Sequence, residues 1–267
     1  MNVLVLYWKY IVAHLKKAVE YRYSFFMGIF IQIISYATTY IGMWILLEKF
    51  KALGTWNYWE AMFLFNMNLC SYGMAGLFLW QPMKYLEYRI SKGEMDMFLT
   101  KPLHPLLHVV FSQFEHVFFG QISISIFMFV LCFKHLSIHA TVANILLLAC
   151  MILFAFLIQA AFFIMGGSLS FWFVKSGAFV DTFVYGIRRF IGYPISIYHG
   201  SIQLFLTFLV PYAFVNYYPS VLFLHKESDL IFSNVFMYCT PIVGVGLFIL
   251  SICIWNLGMK QYNSSGS

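Results

Sequence analysis

MKYLEYRISKGEMDMFLTKPLHP, Met83 to Pro105, decides how this chain is read. The sequence around it is overwhelmingly apolar, yet seven of the chain's 26 charged residues fall between Lys84 and Lys101. A membrane-length hydrophobic block lies on each side. The stretch therefore reads as a solvent-exposed connector, 83–105, between two spans. Lys92-Gly93-Glu94 predicts a helix stop at Gly93. Glu94 and Asp96 then open a new short helix, where carboxylates complement the helix dipole. Met95, Phe98 and Leu99 supply its apolar face, and Lys101-Pro102 with Pro105 end it. A short rigid amphipathic helix held beneath a membrane is a docking knob. An ordinary interfacial loop is the plainer alternative.

Working outward, composition fixes the class. Of 267 residues, 62% are hydrophobic, 21% aromatic and only 10% charged, with mean hydropathy +0.80. Soluble domains carry about 25% charged residues, so a water-soluble core is excluded. Repeated runs of about 20 apolar residues predict an all-α polytopic membrane protein, residues 1–267 forming one domain. The runs are continuous, not alternating, which argues against a β-barrel. The net charge of +6 is spread over loops, so it implies orientation and not nucleic-acid binding. Five cysteines without CxxC spacing read as small buried hydrophobes. No cleavable leader is expected.

Residues 3–22 read as an interfacial helix. Tyr7 and Ile11 fall on an aromatic-rich side, and Lys9, Lys16 and Lys17 on the opposite one. Spans are predicted over 24–47, 59–80, 106–133, 142–174 and 235–257. Between 176 and 224 two placements compete. Residues 201–222 carry no charge. Residues 176–197 contain Asp181, Arg188 and Arg189, each costing roughly 2.5–3.5 kcal/mol at a helix centre. The residues alone favour 201–222 as the fifth span. With the first 23 residues inside, twelve Lys/Arg fall on the cytoplasmic side (Lys9, Lys16, Lys17, Arg22, Lys84, Arg89, Lys92, Lys101, Lys175, Arg188, Arg189, Lys260). Four fall outside: Lys49, Lys51, Lys134 and Lys226. The bias predicts six crossings with both termini in the cytoplasm.

Catalytic signals are absent. There is no GxxxxGK[ST] phosphate loop, HExxH or GxSxG. His104/His108 and His135/His139 have i,i+4 spacing but no further ligand, and two ligands do not make a zinc site. Glu115 and His116 lie inside the third apolar block. With Asp181, Arg188 and Arg189 they are the candidate intramembrane or cavity polar groups. Gly73, Gly76, Gly166, Gly167, Gly244 and Gly246 read as helix-packing positions.

The connector ISKGEMDMFLTKPLHP resembles the signature of the type-2 ABC exporter permeases, in particular their small six-span branch. Ile90, Lys92, Gly93, Glu94, Asp96, Leu99, Pro102 and Pro105 match, Lys92 being slightly displaced from the commonest basic position. A second likeness lies in YPISIYHGSIQLFLTFLVPYAFVNYYPSVLFL, from Tyr193, with Pro194, Pro211, Asn216, Tyr218 and Pro219 in place. The tail from Gly258 is also similar, so the resemblance covers essentially the whole chain.

That resemblance implies a half-transporter with no cofactor of its own. A second permease chain, identical or homologous, would pair with it. Two copies of a separate ATP-binding cassette subunit, holding ATP and magnesium, would dock from the cytoplasm. Glu94 to Lys101 becomes the coupling helix and Tyr7 to Glu20 an interface helix. The likeness also makes 176–197 the fifth span, followed by a re-entrant hairpin over 199–224 bent at Pro211. The expected activity is export of a hydrophobic or amphipathic molecule (drug, peptide or lipid-like) across a bacterial cytoplasmic membrane. The rivals are an ion-gradient-driven secondary transporter, using the intramembrane charges as a relay, and a non-transporting scaffold or sensor.

Overall fold

Asn57 starts the helix on which the bundle is built. Its side chain accepts the Glu60 N–H at 3.0 Å, and the Glu60 carboxylate accepts the Asn57 N–H at 2.9 Å. This reciprocal cap satisfies two of the orphan donors of a helix start. The computed structural model describes Val12, Lys16, Gly177 and residues 20–50, 53–100, 104–173, 186–227 and 230–262. Of the residues singled out on the expected interface helix only Lys16 is described, and it is exposed; Tyr7, Lys9, Ile11 and Lys17 lie outside the described residues. So do Lys101, Pro102 and Asp181.

Five helices among the described residues are long and apolar enough to cross a membrane. They are α1 (Arg22–Phe50), α2 (Tyr58–Lys84), α6 (Phe118–His135), α7 (Val142–Ser168) and α10 (Thr240–Gln261). Shorter helices are α3 (Leu86–Ser91), α4 (Met95–Leu99) and α5 (Pro105–Phe111). The last two are α8 (Gly200–Leu204), widened into a looser turn through Leu209, and α9 (Ala213–Phe223). The α8–α9 pair is apolar enough to count as a sixth span but bends by 104°.

α2 is almost wholly buried, with α6 and α7 along it; α1 packs on α6 and α10 on α7. Lipid offers no hydrogen bonds, so amides inside the bundle must be satisfied there. Asn66 takes a hydrogen bond from Tyr40 Oη at 2.7 Å and donates to Ser125 O at 2.7 Å. Gln121 Nε2 donates to Leu69 O at 2.6 Å. Small residues set the closest approaches. A Cβ on Gly76 would stand 2.5 Å from the Phe118 ring, and one on Gly244 2.8 Å from Phe154 O. Gly246, expected to pack, has nothing within 4 Å.

The third apolar block differs from expectation. It is not one helix over 106–133. α5 stops at Phe111, and Ser112 to Val117 separate it from α6. The break accommodates the two ionisable residues, which a continuous helix would press among apolar neighbours. Freed from the helix, the Glu115 N–H donates to Leu77 O at 3.0 Å, and its carboxylate accepts Gln81 Nε2–H at 2.6 Å. His116 stacks on Phe25 at 4.7 Å. Two other limits move. α7 continues only as a 3-10 turn to Phe171, and α10 starts at Thr240, one residue before Pro241, after a separate turn over Asn234–Tyr238.

Contacts order the rest of the chain between the two ends of the bundle. Gly177 N–H donates to Glu87 at 2.6 Å, at the connector end. Arg188 Nε donates to Asn68 Oδ1 at 3.2 Å, midway along α2. Ile197 lies 3.8 Å from the Cβ position of Gly54, at the opposite end beside Trp56. Gly177, Arg188 and Ile197 thus lie in that order from the connector end of the bundle to the Trp56 end. The α8–α9 pair then dips inward and returns. Its tip packs Tyr212 against Phe162 (ring centroids 4.3 Å apart), and Lys226 just beyond α9 donates to Thr55 O at 2.8 Å. Pro211 explains the bend: it lacks an N–H and pushes Val210 out of helical geometry, to φ −123°, ψ 81°.

Candidate functional site: the connector and the polar groups within the bundle

The connector begins at the end of α2. Pro82 sits in its last turns, and Tyr85 alone separates it from α3. α3 ends on Gly93 in the left-handed region, φ +68°. Gly93 N–H donates to Ile90 O at 3.2 Å and Glu94 N–H to Arg89 O at 2.9 Å, the paired bonds of a Schellman cap. A side chain at position 93 would be strained, so the glycine sets the angle at which α4 leaves.

That angle turns α4 into the bundle. Met95 and Phe98 are buried beside Leu86, Leu106 and Val109. The expected apolar face of Met95, Phe98 and Leu99 is thus split. Leu99 points outward (46% exposed) together with Met97 (55%). Tyr85 and Tyr88 of the preceding turn are exposed too, as are Lys92 and Glu94.

Three further bonds hold the knob. Arg89 is buried, donates from Nη1 to Ser112 Oγ at 2.8 Å, and places its guanidinium 5.4 Å from the Phe98 ring centroid. Asp96 accepts a hydrogen bond from Tyr262 Oη at 3.0 Å, tying the end of α10 to α4. Burial, then the Asp96 hydrogen bond and charge, push the Tyr262 phenol up to about 12. It stays protonated, and a donor, throughout the physiological range.

The expected polar residues do not form one site. Glu115 and His116 lie near the connector, level with Leu77 on α2. Arg188 lies at Asn68, nine residues away on the same helix, or about 13 Å of rise. Arg189 is exposed. Asn216 is fully buried, its amide donating to Ile191 O at 2.5 Å, and Pro219 is buried within α9. Pro194 precedes the turn Ile195–Ile197. At the far end Lys226 pairs with Glu60 at 2.9 Å and lies over Trp56. Among the described residues no group of three or more His, Cys, Asp or Glu could hold a metal.

Sequence reading missed Arg89, Tyr262 and Met97 at the connector, and Asn68 and Gln159 inside the bundle. The two amides were legible as polar side chains within membrane-length runs. Arg89 reads from the sequence only as a loop charge.

Among curated proteins and solved structures nothing matched the chain. A family model described as ABC-2 family transporter protein matches residues 33–266, and on that extent the chain belongs to the ABC-2 family of membrane transporter proteins.

Proposed function

We propose that this chain is the permease half of an ATP-driven exporter, and that the knob around α4 receives the motion of a separate ATP-binding subunit. One observation carries the reading. α4 is clamped to the bundle by Met95, Phe98, Arg89 and Asp96, while Met97 and Leu99 are presented outward beside Lys92 and Glu94. A body pressed on such a surface moves the bundle and not a loose loop. The work reaches α2 through α3, α6 through the Ser112 joint, and α10 through Tyr262. Two such chains, each with its ATP-binding subunit, would pass a hydrophobic or amphipathic cargo outward between them. ATP and magnesium belong to that subunit.

Charge supports the orientation. Arg22, Lys84, Arg89, Lys92 and Lys260 stand at the connector end, against Lys49, Lys134 and Lys226 at the Trp56 end. The connector end is then cytoplasmic. The crossing between Gly177 and Ile197 is the fifth span, and α8–α9 is a re-entrant hairpin opening outward.

Two measurements test this. In a cysteine-free background, single cysteines at His199 and Glu227, both exposed, are expected to react with an impermeant thiol reagent from outside only. Labelling of either from the cytoplasm alone removes the hairpin. In proteoliposomes, flux should require the co-purified ATP-binding subunit and hydrolysable ATP. Flux that follows an ion gradient and ignores that subunit sinks the exporter reading in favour of a secondary transporter.

A further inference from the structure

Midway along α2, a cation is held inside the bundle by neutral groups. Asn68 and Gln159 are buried, and Asn68 Oδ1 accepts from both Arg188 Nε (3.2 Å) and Gln159 Nε2 (3.1 Å). The Arg188 guanidinium carbon lies 3.4 Å from the Tyr72 ring centroid.

Nε is only one of the five donors of a guanidinium. Among the described residues neither terminal nitrogen of Arg188 has an acceptor, and no described carboxylate pairs with it. The Asn68 amide nitrogen also lacks an acceptor there. None of these three nitrogens is among the sealed, unsatisfied polar atoms, so each still opens onto accessible space. A positive charge and a neutral N–H donor thus lie side by side with unused donors, against the Tyr72 ring. Such a fork matches the two oxygens of a carboxylate or phosphate. A neutral cargo would leave the cation uncompensated at a depth where charge is costly.

Depth decides what carries the oxyanion. Asn68 is ten residues beyond Tyr58, about 15 Å into the bundle. A free ion would be stripped of water on the way without any apolar gain. A molecule with an apolar tail is solvated by the bundle as it enters. We infer that Arg188 and Asn68, backed by the Tyr72 ring, form a subsite for the oxyanion group of an amphipathic molecule. That this molecule is the exported cargo rests on the permease reading; its binding does not.

The test uses the purified full-length chain in an uncharged maltoside detergent, with thermal unfolding as the readout. Dodecyl phosphate and dodecanoate are compared with dodecanol, which has the same tail. The wild type should be protected by both acids at concentrations about tenfold below those needed of the alcohol, as befits a charge-assisted pair. Arg188→Gln should erase that preference, and Arg188→Lys should retain part of it. Asn68→Asp supplies an internal counter-ion while keeping the shape, so it too should erase the preference; it serves if Arg188→Gln does not fold. Equal protection by acid and alcohol overturns the inference, as does a preference surviving Arg188→Gln or, should that variant not fold, Asn68→Asp. Protection by inorganic phosphate or acetate at the same concentrations overturns the amphiphile and leaves a free-ion site. No ATP-binding subunit is needed, so failure here leaves the exporter reading standing.

Discussion

Met97→Glu combined with Leu99→Glu is expected to abolish ATP-dependent transport and to strip the ATP-binding subunit from the purified complex. The chain itself should remain folded. Both side chains are about half exposed on α4, whereas its buried anchors Met95 and Phe98 are untouched. The substitutions therefore cost the isolated chain little; surface changes away from structural features usually fall within about 0.5 kcal/mol. In the complex they place two carboxylates in a contact that should be dry. Disrupting a central interface residue typically costs about 2–4 kcal/mol, a factor of roughly 30 to 1000 in affinity. Size-exclusion co-elution, ATPase turnover in proteoliposomes and thermal unfolding of the chain alone measure the three quantities. An intact complex turning over at the wild-type rate would show that the knob docks nothing.

Arg89→Leu should give the opposite separation. The complex should assemble, ATP hydrolysis should continue, and flux should fall by about tenfold or more. Arg89 is buried behind the docking face, so its loss leaves the outward surface intact. What goes is the link from α3 to Ser112 and to the Phe98 ring. A hydrogen bond to a charged group contributes about 1.5–3 kcal/mol, and a cation over an aromatic ring about 0.5–2 kcal/mol. Losing both without opening a large cavity frees α4 to rock on its Gly93 turn. Pressure on the knob is then spent in the connector instead of reaching the spans. Comparing ATP hydrolysed per substrate moved, wild type against variant, reads this directly. Hydrolysis and flux declining in step would mean that Arg89 only stabilises the fold.

The all-helical membrane class was legible because it rests on run length and composition, which survive any error in local detail. The presence of a short helix after Gly93 was legible for a similar reason: glycine, carboxylates and prolines punctuate the chain regardless of its neighbours. Its facing was not. Five residues make little more than one turn, so which of Met95, Met97, Phe98 and Leu99 point outward depends on the exit angle at Gly93, which no periodicity encodes. Arg89 was misread because its partner Ser112 lies 23 residues onward, across two prolines. The break at Ser112–Val117 was hinted at by Glu115 and His116, but hydropathy averaged over a window hides two polar residues among apolar ones. Arg188 shows the limit of the insertion-cost argument most plainly. That cost applies to a lone helix in lipid, whereas the folded bundle supplies Asn68 and Tyr72 to that side chain. The likeness to the exporter permeases pointed to the 176–197 placement for which the residues alone gave no warrant.

The bond from Glu115 N–H to Leu77 O has an experimental corollary. It joins main chain to main chain across two segments, so no ordinary exchange of side chains at either position severs it. An alanine scan would pass over this seam in silence. Proline at 115, or an ester in place of that amide, is what would unzip it.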